Sequence, residues 1–142
     1  MTTEKIDLSF HSIGPEGIKA LSAPLATNTT VSVMNLTENF CGAPGCQDLA
    51  EMLCENCYIT ELILKGNDIG KKSQEDGGKA LAMIIKENSY IKYLDLSDNY
   101  RVVLLKFHEN GGKSRKWLNM ADLTQTPGIA SFWPKNDLKS RF

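Results

Sequence analysis

Cys41, Cys46, Cys54 and Cys57 are the four cysteines of the chain, and they fall in one short stretch. Cys54 and Cys57 form a CxxC pair, which with Cys41 and Cys46 could supply four thiolates to zinc, or by itself a redox dithiol. Residues 66–73, GNDIGKKS, invite comparison with a phosphate-binding loop. That loop needs four residues between its glycines so that backbone N–H groups wrap a phosphate within reach of the lysine, and here there are three. The histidines are His11 and His108, the second beside Glu109, and no nucleophile recurs with either at a defined spacing. Carboxylates are spread singly rather than paired. These residues assign no catalytic group, no cofactor and no metal ligand, so an enzyme is not expected.

The elements that hold these residues explain most of them differently. Ile59-Thr60-Glu61-Leu62-Ile63-Leu64-Lys65-Gly66-Asn67-Asp68-Ile69-Gly70 fits LxxLxLxxNxIG, with Ile for the first Leu. Leu8, Leu36 and Leu64 are spaced by 28 residues, and Leu96 follows after 32 because Lys71-Lys72-Ser73-Gln74 is inserted. A fixed period of this size is the mark of stacked repeat units. Leu62 and Leu64 alternate with Glu61, Ile63 and Lys65, so a short strand sends one set inward and the other outward. Asn39, Asn67 and Asn99 share the slot that ends the strand, with His11 there in the first unit, and their amides are placed to form a column of side-chain to backbone hydrogen bonds.

A helix follows each strand. Residues 17–31, 45–59 and 77–91 align without gaps, setting Leu21 over Leu49 and Leu81, Leu25 over Leu53 and Ile85, and Asn28 over Asn56 and Asn88. Pro15 sits in a first turn, where its missing N–H has no partner to lose. In this register Cys41 occupies the slot of Ile13 and Ile69, and Cys46 that of Ile18, which makes both small buried apolar side chains rather than ligands. Cys54 and Cys57 fall near a helix end.

On these residues the chain resembles leucine-rich repeat proteins of the ribonuclease-inhibitor type. The wording of residues 13–21, 28–31 and 36–39 further resembles the vertebrate leucine-rich repeat-containing proteins numbered 74 and 34. The resemblance covers Lys5 to Asn99 and implies an α/β solenoid: a short curved parallel sheet with outer helices, in about four units. Residues 1–99 are therefore expected to form the repeat domain. Residues 100–142 break the pattern, and are expected to be a C-terminal cap or a partly disordered tail.

Within that tail, Val102 to Phe107 is apolar enough for a strand or short helix packed on the last repeat, and a helical turn or two is expected near Arg115 to Leu123. Gly111-Gly112, Thr126-Pro127-Gly128 and Trp133-Pro134 interrupt any longer element. The two parts also differ in charge. Residues 1–99 hold 8 basic and 14 acidic residues, whereas residues 100–142 hold 8 and 3. The basic stretch Lys113 to Leu118 reads as solvated, so no nucleic acid is expected. No apolar run long enough for a leader or a membrane span occurs, which makes the cytoplasm, or alternatively the nucleus, the expected compartment and gives the sequons at Asn28 and Asn35 little meaning.

In proteins of the resembled type, outward strand residues line a concave surface that holds partners. The resemblance places Phe10, Glu38, Glu61, Ile63, Lys65, Tyr93, Asp95 and Asp98 in that row, with Phe10, Ile63 and Tyr93 as apolar anchors. Glu38, Glu61, Asp95 and Asp98 would steer a basic partner. The expected function is a non-catalytic protein-interaction module with an unidentified protein partner, the chain being a monomer or self-associating weakly through uncapped edges. Regulation of an enzyme or small GTPase follows as an alternative from the resembled fold, and a truncated variant with little function of its own is a further one.

Overall fold

A strand that alternates inward and outward residues has one apolar face, and a unit of one strand and one helix is too small to cover it alone. Stacking units side by side is what buries that face. The computed structural model describes residues 4–100, 102–107 and 113–118. Its repeats run β1 (Glu4–Asp7), α1 (Gly14–Ala26), β2 (Val31–Asn35), α2 (Gly42–Glu55), β3 (Glu61–Ile63), α3 (Gln74–Glu87) and β4 (Tyr93–Asp95). Two further strands follow, β5 (Val102–Phe107) and β6 (Lys113–Leu118). The first four strands form one parallel sheet in chain order, with Ile6, Met34, Leu62 and Leu94 level across it. Just past the strands the backbone pairing continues: Leu8, Leu36 and Leu64 donate N–H to Asn35, Ile63 and Asp95 of the next unit at 2.8–2.9 Å. The leucines that mark the period therefore lie on adjacent units of a common sheet.

The asparagine slot forms the expected column. Asn67 Oδ1 accepts the N–H of Asn39 (3.2 Å) and of Cys41 (3.3 Å), while its Nδ2 donates to the carbonyls of Leu36 (2.7 Å) and Lys65 (3.1 Å). Asn39 does the same for His11, Ile13 and Leu8, and Asn99 for Asn67, Ile69 and Leu64. His11, in the first slot, turns its Nδ1 to the Ser9 carbonyl of its own unit at 2.6 Å. A second column stands at the other end of the strands. Asn56 Nδ2 donates to Leu25 and Asn28 carbonyls (2.7 and 3.0 Å), and Asn88 Nδ2 donates to the Leu53 carbonyl (2.7 Å). Their Oδ1 atoms accept from the chain re-entering the sheet, at Tyr58 and Ile59 and at Tyr90 and Ile91.

Helix burial depends on which neighbours are present. α2 has a helix on each side, and Leu49, Ala50, Met52 and Leu53 are all buried. In α1 the slots that face back, Leu21 and Pro24, are half-buried and exposed, whereas Ser22 and Leu25, facing α2, are buried. In α3 the pattern inverts: Leu81 and Ile84 are buried against α2, and Ala82 and Ile85 only partly. Ile85, aligned with Leu25 and Leu53, is thus less buried than Ile84, because β5 and not a fourth helix lies against α3.

Cys41 and Cys46 are fully buried in the slots expected of them. Close approach also fixes Gly45: a Cβ there would stand 2.8 Å from Cys41 Cβ and 3.4 Å from Pro15 Cα in the unit before. Several boundaries differ from the sequence reading. α2 and α3 start three residues early, at Gly42 and Gln74, and in α3 the Ser73 hydroxyl is the reason, accepting the Asp76 N–H at 3.1 Å as an N-cap. The segment expected to turn helical from Arg115 is instead strand over 115–118, in an antiparallel pairing that sets Val103 opposite Trp117 and Leu105 opposite Arg115. Cross-strand hydrogen bonding outweighs a weak local helix preference there. Val102 to Phe107 is a strand against α3, with Val102 buried beside Gly77. The helical expectation for 119–123, the chain breaks at 111–112, 126–128 and 133–134, and His108 with Glu109 lie outside the described residues.

Asn67→Ala takes the amide partner from two N–H groups and the Leu36 carbonyl, and leaves the Lys65 carbonyl with the Glu38 N–H, at a site with no exposure. Urea unfolding should show a loss of roughly 3 kcal/mol. His11→Ala, at the solvent end of the column, should cost under about 1 kcal/mol.

Candidate functional site

The helix-free face of the sheet is built from two rows. Lys5, Val33, Glu61 and Tyr93 are level with one another, and Asp7, Asn35, Ile63 and Asp95 form the next row. In three units the second row is locked by a residue two positions on. Asp7 Oδ1 accepts the Ser9 hydroxyl (2.7 Å) and N–H (3.1 Å), Asn35 Oδ1 accepts the Thr37 hydroxyl (2.7 Å) and N–H (3.1 Å), and Asp95 Oδ1 accepts the Ser97 N–H (2.9 Å) and hydroxyl. Asn35 Nδ2 also bonds both Asp7 carboxylate oxygens at 3.2 Å. The third unit departs from this, with Ile63 and Lys65 in place of the acceptor and the hydroxyl. Ile63 is a half-buried apolar side chain in a row otherwise made of carboxylates and amide, and Tyr93 stands next to Glu61 in the row beside it.

The structure divides the eight residues expected on this face into two groups. Glu61, Ile63, Tyr93 and Asp95 lie on strands β3 and β4. Lys65 follows β3, and Phe10, Glu38 and Asp98 sit in the turns past the strand ends, in one slot with left-handed backbones at φ 61°, 55° and 56°. Gly66 fills that slot in the third unit at φ 64°. A side chain at Gly66 would collide with the Glu38 carboxylate, whose Cδ lies 2.6 Å from the position of a Cβ. Lys65 Nζ pairs with Asp98 Oδ2 at 3.3 Å. The rim is therefore a separate strip from the strand face, displaced by turns that a strict two-residue alternation does not anticipate. Phe10 is 74% exposed.

Sequence reasoning passed over four exposed aromatic residues, Phe40, Tyr58, Tyr90 and Tyr100. Comparison of slots would have found them, since Phe40 and Tyr100 occupy the position held by Ser12 and Asp68 in the other units, and Tyr58 and Tyr90 the position held by Thr30. Lys71, in the insertion, pairs with Asp68 Oδ2 at 2.9 Å and lies 5.8 Å from the Tyr100 ring centre. The lysine of the phosphate-loop-like stretch is thus engaged by a carboxylate within that same loop. Cys54 and Cys57 are exposed. Among the described residues no cluster of three or more His, Cys, Asp or Glu is arranged to hold a metal ion, and no helix is long and apolar enough to cross a membrane.

Charge states follow from these contacts. The Ser9 hydroxyl and N–H, then Asn35 and Lys5, hold the Asp7 carboxyl down to about 2. Partial burial, then Asp95 and Glu61, push the Tyr93 hydroxyl up and keep it neutral. Burial pushes the Cys41 thiol up to about 12, burial and then the neighbouring Cys41 raise the Cys46 thiol well above its ordinary value, and Cys54 is raised by burial and by Glu87, Glu51 and Glu55.

Two measurements check this. Native protein should label at Cys54 and Cys57 and leave Cys41 and Cys46 unreacted until denaturant is added. For Asp7 the folded value lies below the unfolded one, so its contribution to stability is present above the unfolded carboxylate range and is lost as pH falls through about 2. Carboxyl NMR titration should place its midpoint near 2, and Ser9→Ala should move that midpoint upward.

A family model described as Leucine Rich repeat matches residues 4–22 and 55–73. Leucine-rich repeat-containing protein 45 of Gallus gallus is 30% identical over 95 residues, covering 67% of this chain and 14% of that protein. NACHT, LRR and PYD domains-containing protein 4E of Mus musculus is 32% identical over 98 residues, covering 67% of this chain and 10% of that one. The chain thus spans a small part of the length of either relative. Among solved structures, that of Leiomodin-1 Actin-Binding Site 2 (ABS2) superposes with a TM-score of 0.59 at 24% identity, covering 67% of this chain and 53% of its own. With the stacked units and their asparagine columns already described, these matches establish the chain as a leucine-rich repeat protein whose repeats form an α/β solenoid.

Proposed function

We propose that the chain is a non-catalytic protein-interaction module that holds its partner on the helix-free, concave face of the repeats. The observation that carries this reading is the break in the third unit. Three units spend their outward acceptor on a hydroxyl two residues away, and the third replaces both with Ile63 and Lys65. Such a break gives up a local hydrogen bond and leaves an apolar side chain facing outward, next to Tyr93 and among Glu61 and Asp95. An apolar centre ringed by charge is the composition of an interface core with its rim. Excess carboxylates on the face suit a partner segment carrying lysine or arginine.

The likeness to other proteins supports a binding role at a coarser level. The similar solved structure is named for an actin-binding site of leiomodin-1, and a protein partner for the present chain accords with it. On this reading residues 100–142 act as the closing segment of the array, which the packing of β5 on α3 supports. The pairs Lys65–Asp98 and Lys5–Asp7 are exposed and add little stability, so they are free to exchange for a partner's charges.

Tyr93→Ala, Glu61→Lys and Asp95→Lys combined should reduce recovery of crosslinked partners about tenfold or more in a pull-down, with a thermal melt that stays cooperative although lowered by loss of the Asp95–Ser97 hydrogen bonds. Undiminished recovery with the fold intact removes this face from consideration.

A further inference from the structure

On the concave-face reading of the function, we propose that the partner is held there by an arginine, its stem lying on Ile63 and Tyr93 and its guanidinium between the Glu61 and Asp95 carboxylates. Glu61 and Tyr93 are level on neighbouring strands, and so are Ile63 and Asp95, two positions further along. The four side chains thus form a square on the helix-free face, with apolar groups at one pair of opposite corners and carboxylates at the other. Neighbouring strands stand about 4.8 Å apart and alternate residues about 6.6 Å, which puts the two acidic Cα atoms roughly 8 Å from each other. Two carboxylates so placed can grip a guanidinium from both edges.

Within the chain nothing neutralises this square. Among the described residues Glu61 makes no ion pair and its carboxylate accepts no hydrogen bond. Asp95 gives Oδ1 to the N–H and hydroxyl of Ser97, and its Oδ2 is left open among those residues. The lysines of the same face are taken up elsewhere, Lys65 by Asp98 past the strand end at 3.3 Å and Lys5 by Asp7 on β1 at 3.6 Å. Glu61 is exposed, yet it has Val33 beside it on β2, Tyr93 beside it on β4 and Ile63 next along its own face, all three half-buried. Since β3 has a strand on either side, the surroundings of Glu61 and Ile63 are complete within the sheet. A carboxylate walled by apolar groups suits a cation that brings its own apolar stem.

The head group decides between the two basic side chains. An ammonium is a compact charge that meets one carboxylate well. A guanidinium is flat, stacks on an aromatic ring and directs donors along both edges, which matches a square with a ring at one corner and carboxylates at two. Electrostatics agree: after burial, Asp95 and then Glu61 push the Tyr93 hydroxyl up, so both carboxylates bear on that side chain. The other units lack the apolar floor, because the position of Ile63 holds Asp7, Asn35 or Asp95 there, each locked to a hydroxyl two residues on.

The test is NMR titration of the full 142-residue chain with a capped glycine-leucine-arginine-leucine-glycine peptide, its lysine counterpart, and its citrulline counterpart, which has nearly the same shape and no charge. The arginine peptide should shift the Ile63 methyl and Tyr93 ring signals to saturation and bind about tenfold or more tightly than the citrulline one, with lysine between them. Glu61→Gln should remove most of that preference. Tyr93→Leu, which keeps an apolar side chain, should weaken the arginine peptide about threefold, whereas Glu16→Gln on α1 should change nothing. Equal binding of the arginine and citrulline peptides, or of arginine and lysine, overturns the arginine assignment and leaves the concave face as a docking surface. A preference that survives Glu61→Gln overturns it too, as does the absence of any shift at Ile63 and Tyr93. Whether the face holds a protein at all is read separately, from the pull-down with the triple variant.

Discussion

Everything in this array depends on buried amides that reach from one unit into the one before it. Asn39 and Asn67 have no exposure, and each satisfies backbone groups on both sides of a unit boundary. A primary amide is suited to this because it donates and accepts on opposite ends. Burial makes the contact stringent, since any unit that slips leaves N–H and C=O groups without water or partner. Asn56 and Asn88 repeat the arrangement at the far end of the strands. From the second unit on, each strand is fastened at both ends, and the leucines between are brought level as a consequence. The same fastening sustains the left-handed turns at Phe10, Glu38 and Asp98, each of which costs about 1–2 kcal/mol for a residue with a Cβ.

Because units differ mainly in what lies beside them, burial reports position along the stack. α2 is covered on both flanks, α1 only on the side of α2, and α3 on one side by a helix and on the other by a strand. Val102 seated beside Gly77 shows how the pattern stops: an apolar side chain from outside the repeat takes up space next to a helix that has no successor among the described residues. Loss of the repeat after Asn99 and continuity of the core are compatible because packing requires shape and apolarity rather than a particular secondary structure.

A regular scaffold also makes its irregularities meaningful. Hydroxyls cap the outward acceptors at Asp7, Asn35 and Asp95, and nothing in stacking requires the third unit to differ. Ile63 and Lys65 are departures without a structural cause in the core, which is why they weigh more in the functional reading than the charged residues around them. The cysteines teach the reverse. Their spacing suggests chemistry, yet the repeat slots dispose of Cys41 and Cys46 as core side chains, and burial raises both thiols far from reactivity.

Period and slot identity were legible in the sequence because both arise from contacts repeated at constant spacing: Leu8, Leu36, Leu64 and Leu96 on one sheet, the asparagine column, and Cys41 in an isoleucine position. Those contacts are the same in every unit, so a residue type recurs wherever the contact does. What only the tertiary structure decided is everything that depends on a neighbour being present or absent. Ile84 rather than Ile85 is the more buried residue of α3, residues 115–118 form a strand, and the rim residues Phe10, Glu38 and Asp98 leave the strand face through left-handed turns. None of these has a local signature, because burial at a flank, cross-strand pairing and turn geometry are set by the surroundings and not by the residue itself.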